Sequence, residues 1–172
     1  MSNISSLVFT VIGKDRPGIV HSLSQAIKDH GGSWQESSLS QVAGQFAGLV
    51  HVTLPEGKRD ACIQAILELE KEGLAVHLAA TENQQETVTT GFSITAHDRP
   101  GIVEEIMQIL TESAINVVEL QTNTASAPMS PENLFLADVE VELPKQMEEE
   151  DLQGLLESLS DDFIIDLEED AS

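Results

Sequence analysis

Basic residues are scarce in this chain. Eight lysines and arginines stand against thirty aspartates and glutamates in 172 residues, a formal charge of −22. Such a surface repels phosphate backbones, which counts against direct nucleic-acid binding. Aromatics make up only 3%, with one tryptophan and no tyrosine, so stacking platforms for bases or sugars are lacking and the core must be aliphatic. The single cysteine, Cys62, excludes an intrachain disulfide; it falls in a stretch of helical periodicity, where cysteine serves as a small core or boundary residue. No apolar run approaches the roughly 20 residues that cross a bilayer. No basic segment followed by an apolar one opens the chain. The expectation is a cytoplasmic protein without membrane contact.

The acidity is uneven. Residues 1–85 hold 9 acidic and 6 basic groups, a balance of −3, whereas residues 86–172 hold 21 and 2, a balance of −19. The second half is therefore the part able to steer a basic partner, although solubility alone accounts for such a surface.

An internal repeat organises the rest. Asp15-Arg16-Pro17-Gly18-Ile19-Val20 recurs 83 residues later as Asp98-Arg99-Pro100-Gly101-Ile102-Val103. Upstream of each copy lies strand-like apolar alternation, Leu7 to Ile12 and Thr90 to Thr95. Downstream, Ile19, Leu23, Ala26 and Ile27 match Ile102, Ile106, Ile109 and Leu110, the stripe of an amphipathic helix. Each helix is expected to begin at its Pro-Gly, where proline's missing N–H costs nothing. The first should end at Gly31-Gly32 and the second near Ser113-Ala114, without a glycine.

Two strands follow in each copy, Ser33 to Val42 with Gln45 to Leu54, and Asn116 to Ala125 with Asn133 to Leu143. The offset grows to 89 across the second hairpin, so a six-residue insertion is expected as a loop around Ala127 to Pro131. A second helix carries Ile63, Ile66 and Leu67, matched by Leu152, Leu155 and Leu156. A last strand runs Leu74 to Ala80, then Phe163 to Leu167, and a short polar linker, Thr81 to Gln85, joins the copies. The order β-α-β-β-α-β, with right-handed crossovers, predicts an α+β fold: two ferredoxin-like domains, 1–81 and 86–172. Each is a four-stranded antiparallel sheet with two helices on one face. Units this small bury a limited share of their surface, so pairing, including a homodimer, is expected.

The repeated loop carries the chemistry. It joins a strand end to a helix start, where backbone N–H groups lack partners and the helix dipole is positive, so a carboxylate can dock. The aspartate can accept hydrogen bonds from an ammonium group, and the glycine leaves room for close approach. One loop can thus recognise both ends of a zwitterion. The alternative is a capped helix start, with Asp15 and Asp98 as caps.

These two DRPGIV segments, set in β-α-β-β-α-β units over residues 5–168, resemble ACT domains. A tandem pair of this length with little else resembles the glycine cleavage system transcriptional repressor family. The resemblance implies an amino-acid site between paired domains, formed by an Asp or Asn in the loop and an Asn opening the second strand. In the second copy these positions are Asp98 and Asn116, with Arg99 and Gly101 in the loop. In the first they are Asp15 and Ser33, with Arg16 and Gly18. Ser33 lacks a carboxamide, so the first site is expected to bind more weakly. The resemblance also implies an amino-acid ligand, glycine among the candidates, and a protein partner such as a DNA-binding transcription factor through which the chain represses.

No other constellation competes. The histidines His21, His30, His51, His77 and His97 form no metal-ligand spacing, and no cofactor fingerprint or nucleophile motif is present. His97 adjoins Asp98 and reads as an exposed loop residue, with ligand contact as the alternative. Glu104-Glu105, Asp161-Asp162 and the terminal Glu168-Glu169-Asp170 read as solvated surface, and Trp34 as interface or core. The expectation is a ligand-responsive regulator and not an enzyme; the alternative is a pure pairing module whose pockets bind nothing.

Overall fold

A computed structural model describes residues 3–80, 88–126, 132–159 and 161–167. The linker at 81–85, the hairpin insertion at 127–131 and the acidic tail at 168–170 lie outside these. The chain divides into two compact units, Met1–Gln84 and Gln85–Ser172.

In the first unit, β1 (Ile4–Lys14) leads to α1 (Ile19–Asp29), β2 (Ser33–Val42), β3 (Gln45–Pro55), α2 (Arg59–Glu68) and β4 (Leu74–Ala79). Short 3-10 turns, Glu56–Lys58 and Leu69–Glu72, flank α2. The second unit repeats the order with β5 (Thr89–His97), α3 (Ile102–Glu112), β6 (Asn116–Ser126), β7 (Asn133–Glu142), α4 (Glu149–Glu157) and β8 (Ile164–Leu167). The sheets run β2-β3-β1-β4 and β6-β7-β5-β8, and every pairing is antiparallel. This is the ferredoxin-like arrangement read from the repeat.

Period-two alternation builds each core. Along β1, Leu7, Phe9 and Val11 are buried; along β5, Thr90, Phe92, Ile94 and Ala96 are. Ile19, Leu23 and Ile27 close over the first sheet, and Ile102, Ile106 and Leu110 over the second. The second helices add Cys62, Ile63 and Ile66, then Leu152 and Leu156; Leu67 and Leu155 are only partly buried. Cys62 is fully buried, and burial pushes its thiol up from the ordinary 9.0.

Both first helices end the same way. After Asp29, the Gly31 N–H donates to the Lys28 carbonyl and the Gly32 N–H to the Ile27 carbonyl, with Gly31 left-handed at φ 72°. This is the Schellman closure. After Glu112, Ala114 and Ile115 donate to Thr111 and Leu110 in the same pattern, but the left-handed residue is Ala114, φ 55°. The edge strands also match. A bulge interrupts β2 between Trp34 and Glu36, and β6 between Val117 and Glu119. On its near side Trp34 packs, half-buried, against the core.

The helix starts differ from expectation. Pro17 and Pro100 do not enter the first helical turn; they sit in a turn, and the helices begin at Ile19 and Ile102. Gly18 and Gly101 precede them with φ of 92° and 87°, a backbone no helical residue adopts, so the proline is displaced outward by one turn residue.

Candidate functional site

The two loops share one geometry. The Asp15 N–H donates to the Gly44 carbonyl at 2.9 Å, and the Asp98 N–H to the Asn133 carbonyl at 2.9 Å, pinning each loop to the neighbouring hairpin end. Gly18 and Gly101 are the N-caps, and their carbonyls accept from the Ser22 and Glu105 N–H groups at 2.9 and 3.0 Å. A Cβ built on either glycine would meet nothing within 4 Å. The glycine is thus required by its left-handed φ and not by crowding, and the space above it is open.

The N-caps are glycines, and among the described residues neither Asp15 nor Asp98 makes a cap hydrogen bond, so the capped-start alternative is not what the loops display. Both aspartates are exposed, and among the described residues neither carboxylate makes a hydrogen bond or ion pair. The helices differ in charge: α1 has no acidic residue in its first turn, whereas α3 has Glu104 and Glu105.

The arginines are engaged within their own units. Arg16 Nη2 donates to Glu72 Oε2 at 2.7 Å, and Arg99 Nη2 to Glu105 Oε2 at 2.6 Å. Arg99 also stands over the Phe163 ring, 5.7 Å from its centroid, within cation–π range. Glu105, expected from sequence as solvated surface, is half-buried and binds Arg99 from the first turn of α3. The sequence signal was available, since residue 105 alone of the two equivalent positions is acidic, its counterpart being Ser22. His97 ends β5, exposed, with Nδ1 3.3 Å from Glu132 Oε2.

The strand-opening residues lie elsewhere. Ser33 pairs with Thr53, and Thr53 with Ser6, eight residues along β1 from Lys14. Asn116 pairs with Glu142, and Glu142 with Thr89, eight residues along β5 from His97. Each loop aspartate lies one residue further on, so at about 3.3 Å per residue it is separated from its own unit's strand-opening residue by roughly 30 Å along the strands. The loop residues Asp15, Arg16 and Gly18 come together, as do Asp98, Arg99 and Gly101; Ser33 and Asn116 join neither group. Asn116 is exposed and turns its amide toward Glu142, with Nδ2 to Oε2 at 3.4 Å. Among the described residues no group of His, Cys, Asp or Glu is placed to hold a metal ion, and no helix is long and apolar enough to cross a membrane.

Two ferredoxin-like units, each with a glycine-started helix three residues after an aspartate whose carboxylate is unpaired among the described residues, define a tandem α+β repeat. Comparison with known proteins makes it specific. Residues 5–79 match the ACT domain family. The crystal structure of an unknown protein from Galdieria sulphuraria is similar over 96% of this chain and 98% of its own, at 31% identity and a TM-score of 0.78. That of a proposed glycine cleavage system transcriptional repressor is similar over 97% of this chain and 98% of its own, at 17% identity and a TM-score of 0.66, a likeness of fold. No curated protein matches the chain. The chain belongs to the ACT-domain family and carries two such domains in tandem.

Proposed function

We propose that this chain is an amino-acid-responsive regulator that acts through a protein partner and performs no catalysis of its own. One observation carries the reading. Both copies hold an aspartate three residues before a glycine-started helix, in the same backbone geometry, and among the described residues neither carboxylate serves the fold. A free loop carboxylate and the first-turn N–H groups of the helix, apart from that of Ile102, which donates to the Arg99 carbonyl, suit a ligand with an ammonium and a carboxylate on one carbon. Glycine is the simplest such ligand, and the open loop also leaves room for a side chain.

Each loop is completed by the strand-opening residue of another domain. A second copy of the chain, added edge to edge and antiparallel at β6 or β2, brings a strand start to a loop end. Long edge strands with mostly exposed residues favour such a homodimer. The site residues proposed are Asp15, Gly18 and Ser33, with Asp98, Gly101 and Asn116; the two arginines are reassigned below.

The partner presents a basic surface. On the face of the second sheet away from its helices, Glu119 pairs with Glu140, and Asp138 and Asp166 both pair with Ser93. The corresponding face of the first sheet keeps Glu36 but carries His51, Leu49 and His77 in place of Glu140, Asp138 and Asp166. A transcription factor that itself binds DNA fits this role, and the chain then acts as a co-repressor in the cytoplasm without touching DNA. A pure pairing module is the second reading, favoured by the same edge strands. Calorimetric titration of the purified chain with the amino acids, glycine first, separates the two: a saturable heat supports the regulator, and none with any amino acid supports the pairing module.

A further inference from the structure

We infer that the arginine of each repeated loop is a positioning residue, a latch between the ligand loop and the turn that leads into the outermost strand, and not a ligand contact. The inference rests on the ligand-binding reading of the loops.

In the first unit the latch has two parts. Arg16 reaches Glu72, which immediately precedes the Gly73-Leu74 turn into β4. Beneath that bridge, Gly13 pairs with Leu74, and a Cβ on Gly13 would lie 2.6 Å from the Gly73 carbonyl oxygen. The base of the loop and the start of β4 thus meet backbone to backbone, and the arginine clamps the contact from above.

The second unit reaches the same end with other residues. The position of Gly13 is taken by Ala96, and that of Leu74 by Phe163. The alanine brings a Cβ, this pair is missing from the ladder, and β8 begins one residue later at Ile164. Where the backbone contact is missing, Arg99 covers the Phe163 ring and is held there by Glu105. One arginine position therefore reaches the turn before the last strand twice, once through a carboxylate and once through an aromatic face. A ligand contact copied by duplication has no reason to find an internal partner at the same place by different chemistry. β4 and β8 are sheet edges, so the latch links the state of the ligand loop to an edge able to meet another molecule.

The test uses the full chain with Arg16→Gln, Glu72→Gln, the double variant and the charge swap Arg16→Glu with Glu72→Arg. Amide hydrogen exchange and calorimetry with glycine are the readouts. Each single change should speed exchange in both the Gly13–Ile19 loop and Leu74–Val76 by about two- to fivefold, the range of a partly exposed ion pair. The double variant should do no more than either single one, and the charge swap should restore slow exchange. Glycine affinity should fall by the same factor in both single variants. A ligand contact predicts opposite signs: Arg16→Gln abolishes binding, while Glu72→Gln frees the arginine and strengthens it. That pattern, or exchange at Leu74–Val76 that ignores both substitutions, overturns the latch. Absence of glycine heat in every variant contradicts glycine as the ligand, and the exchange measurements still decide the latch.

Discussion

Asp98 and Asn116 stand at opposite ends of one sheet, separated by the length of β5. The reason is topological. A strand delivers the chain to one end, the helix returns it, and the next strand starts where the first began. A ligand held by both residue types must therefore be shared between domains. If a second copy supplies the strand start, binding and dimerisation are linked, and glycine should raise the dimer fraction. Sedimentation across a dilution series with and without glycine measures this. Monomers that bind glycine as tightly as dimers contradict it.

Asp98→Ala is an informative substitution, because the aspartate makes no cap hydrogen bond. Stability should change by no more than about 0.5 kcal/mol, as at other exposed positions without a partner. Ligand affinity should fall about tenfold or more, since a hydrogen bond to a charged group contributes roughly 1.5–3 kcal/mol. Urea denaturation alongside calorimetry separates the two effects. Asn116→Ala should cost more affinity than Ser33→Ala, because only the carboxamide donates and accepts from different atoms. Equal losses at the two positions would show that the copies bind alike.

Ala114 offers a test of the backbone. Its left-handed φ of 55° costs a residue with a Cβ about 1–2 kcal/mol, while a glycine there adds roughly 0.4–1 kcal/mol of unfolded-state entropy. The first term wins, so Ala114→Gly should stabilise the second unit by about 0.5–1 kcal/mol. The reverse change, Gly31→Ala, should destabilise the first by a similar amount. Thermal unfolding of the two variants checks both signs.

The fold was legible because the same pattern was written twice. Leu7, Phe9 and Val11 set the strand period, Ile19, Leu23 and Ile27 the helix period, and the recurrence of each fixed the topology. The aspartate and glycine of each loop were legible for the same reason. Three features were not. Pro17 reads as a first-turn residue until the φ of Gly18 is known. The partners of Arg16 and Arg99 lie far along the chain or in another turn, and the repeat hides that they differ. The distance from Asp98 to Asn116 is set by the direction of the strands, which a motif listing both residues does not carry.

Cys62 provides a pH signature. Burial raises its thiol above 9.0, so the neutral form belongs to the folded state. Its contribution to stability is complete below that value and is lost as pH rises through the raised folded value, because the unfolded thiol ionises first. Stability should be flat in this contribution up to about pH 9 and decline beyond it, and Cys62→Ala should remove that part of the decline. Thiol reagents should leave the native chain unlabelled and label it fully in denaturant. Rapid native labelling would place Cys62 outside the core.

The central claim is that the repeated loops bind an amino acid through their free aspartates. Calorimetric titration of glycine into the wild-type chain and into the Asp15→Ala, Asp98→Ala double variant tests it most directly. The account predicts saturable binding to the wild type and a loss of about tenfold or more in the variant, with unfolding midpoints unchanged. Binding of equal strength to both proteins, or no binding of glycine or any other amino acid to the wild type, would contradict it.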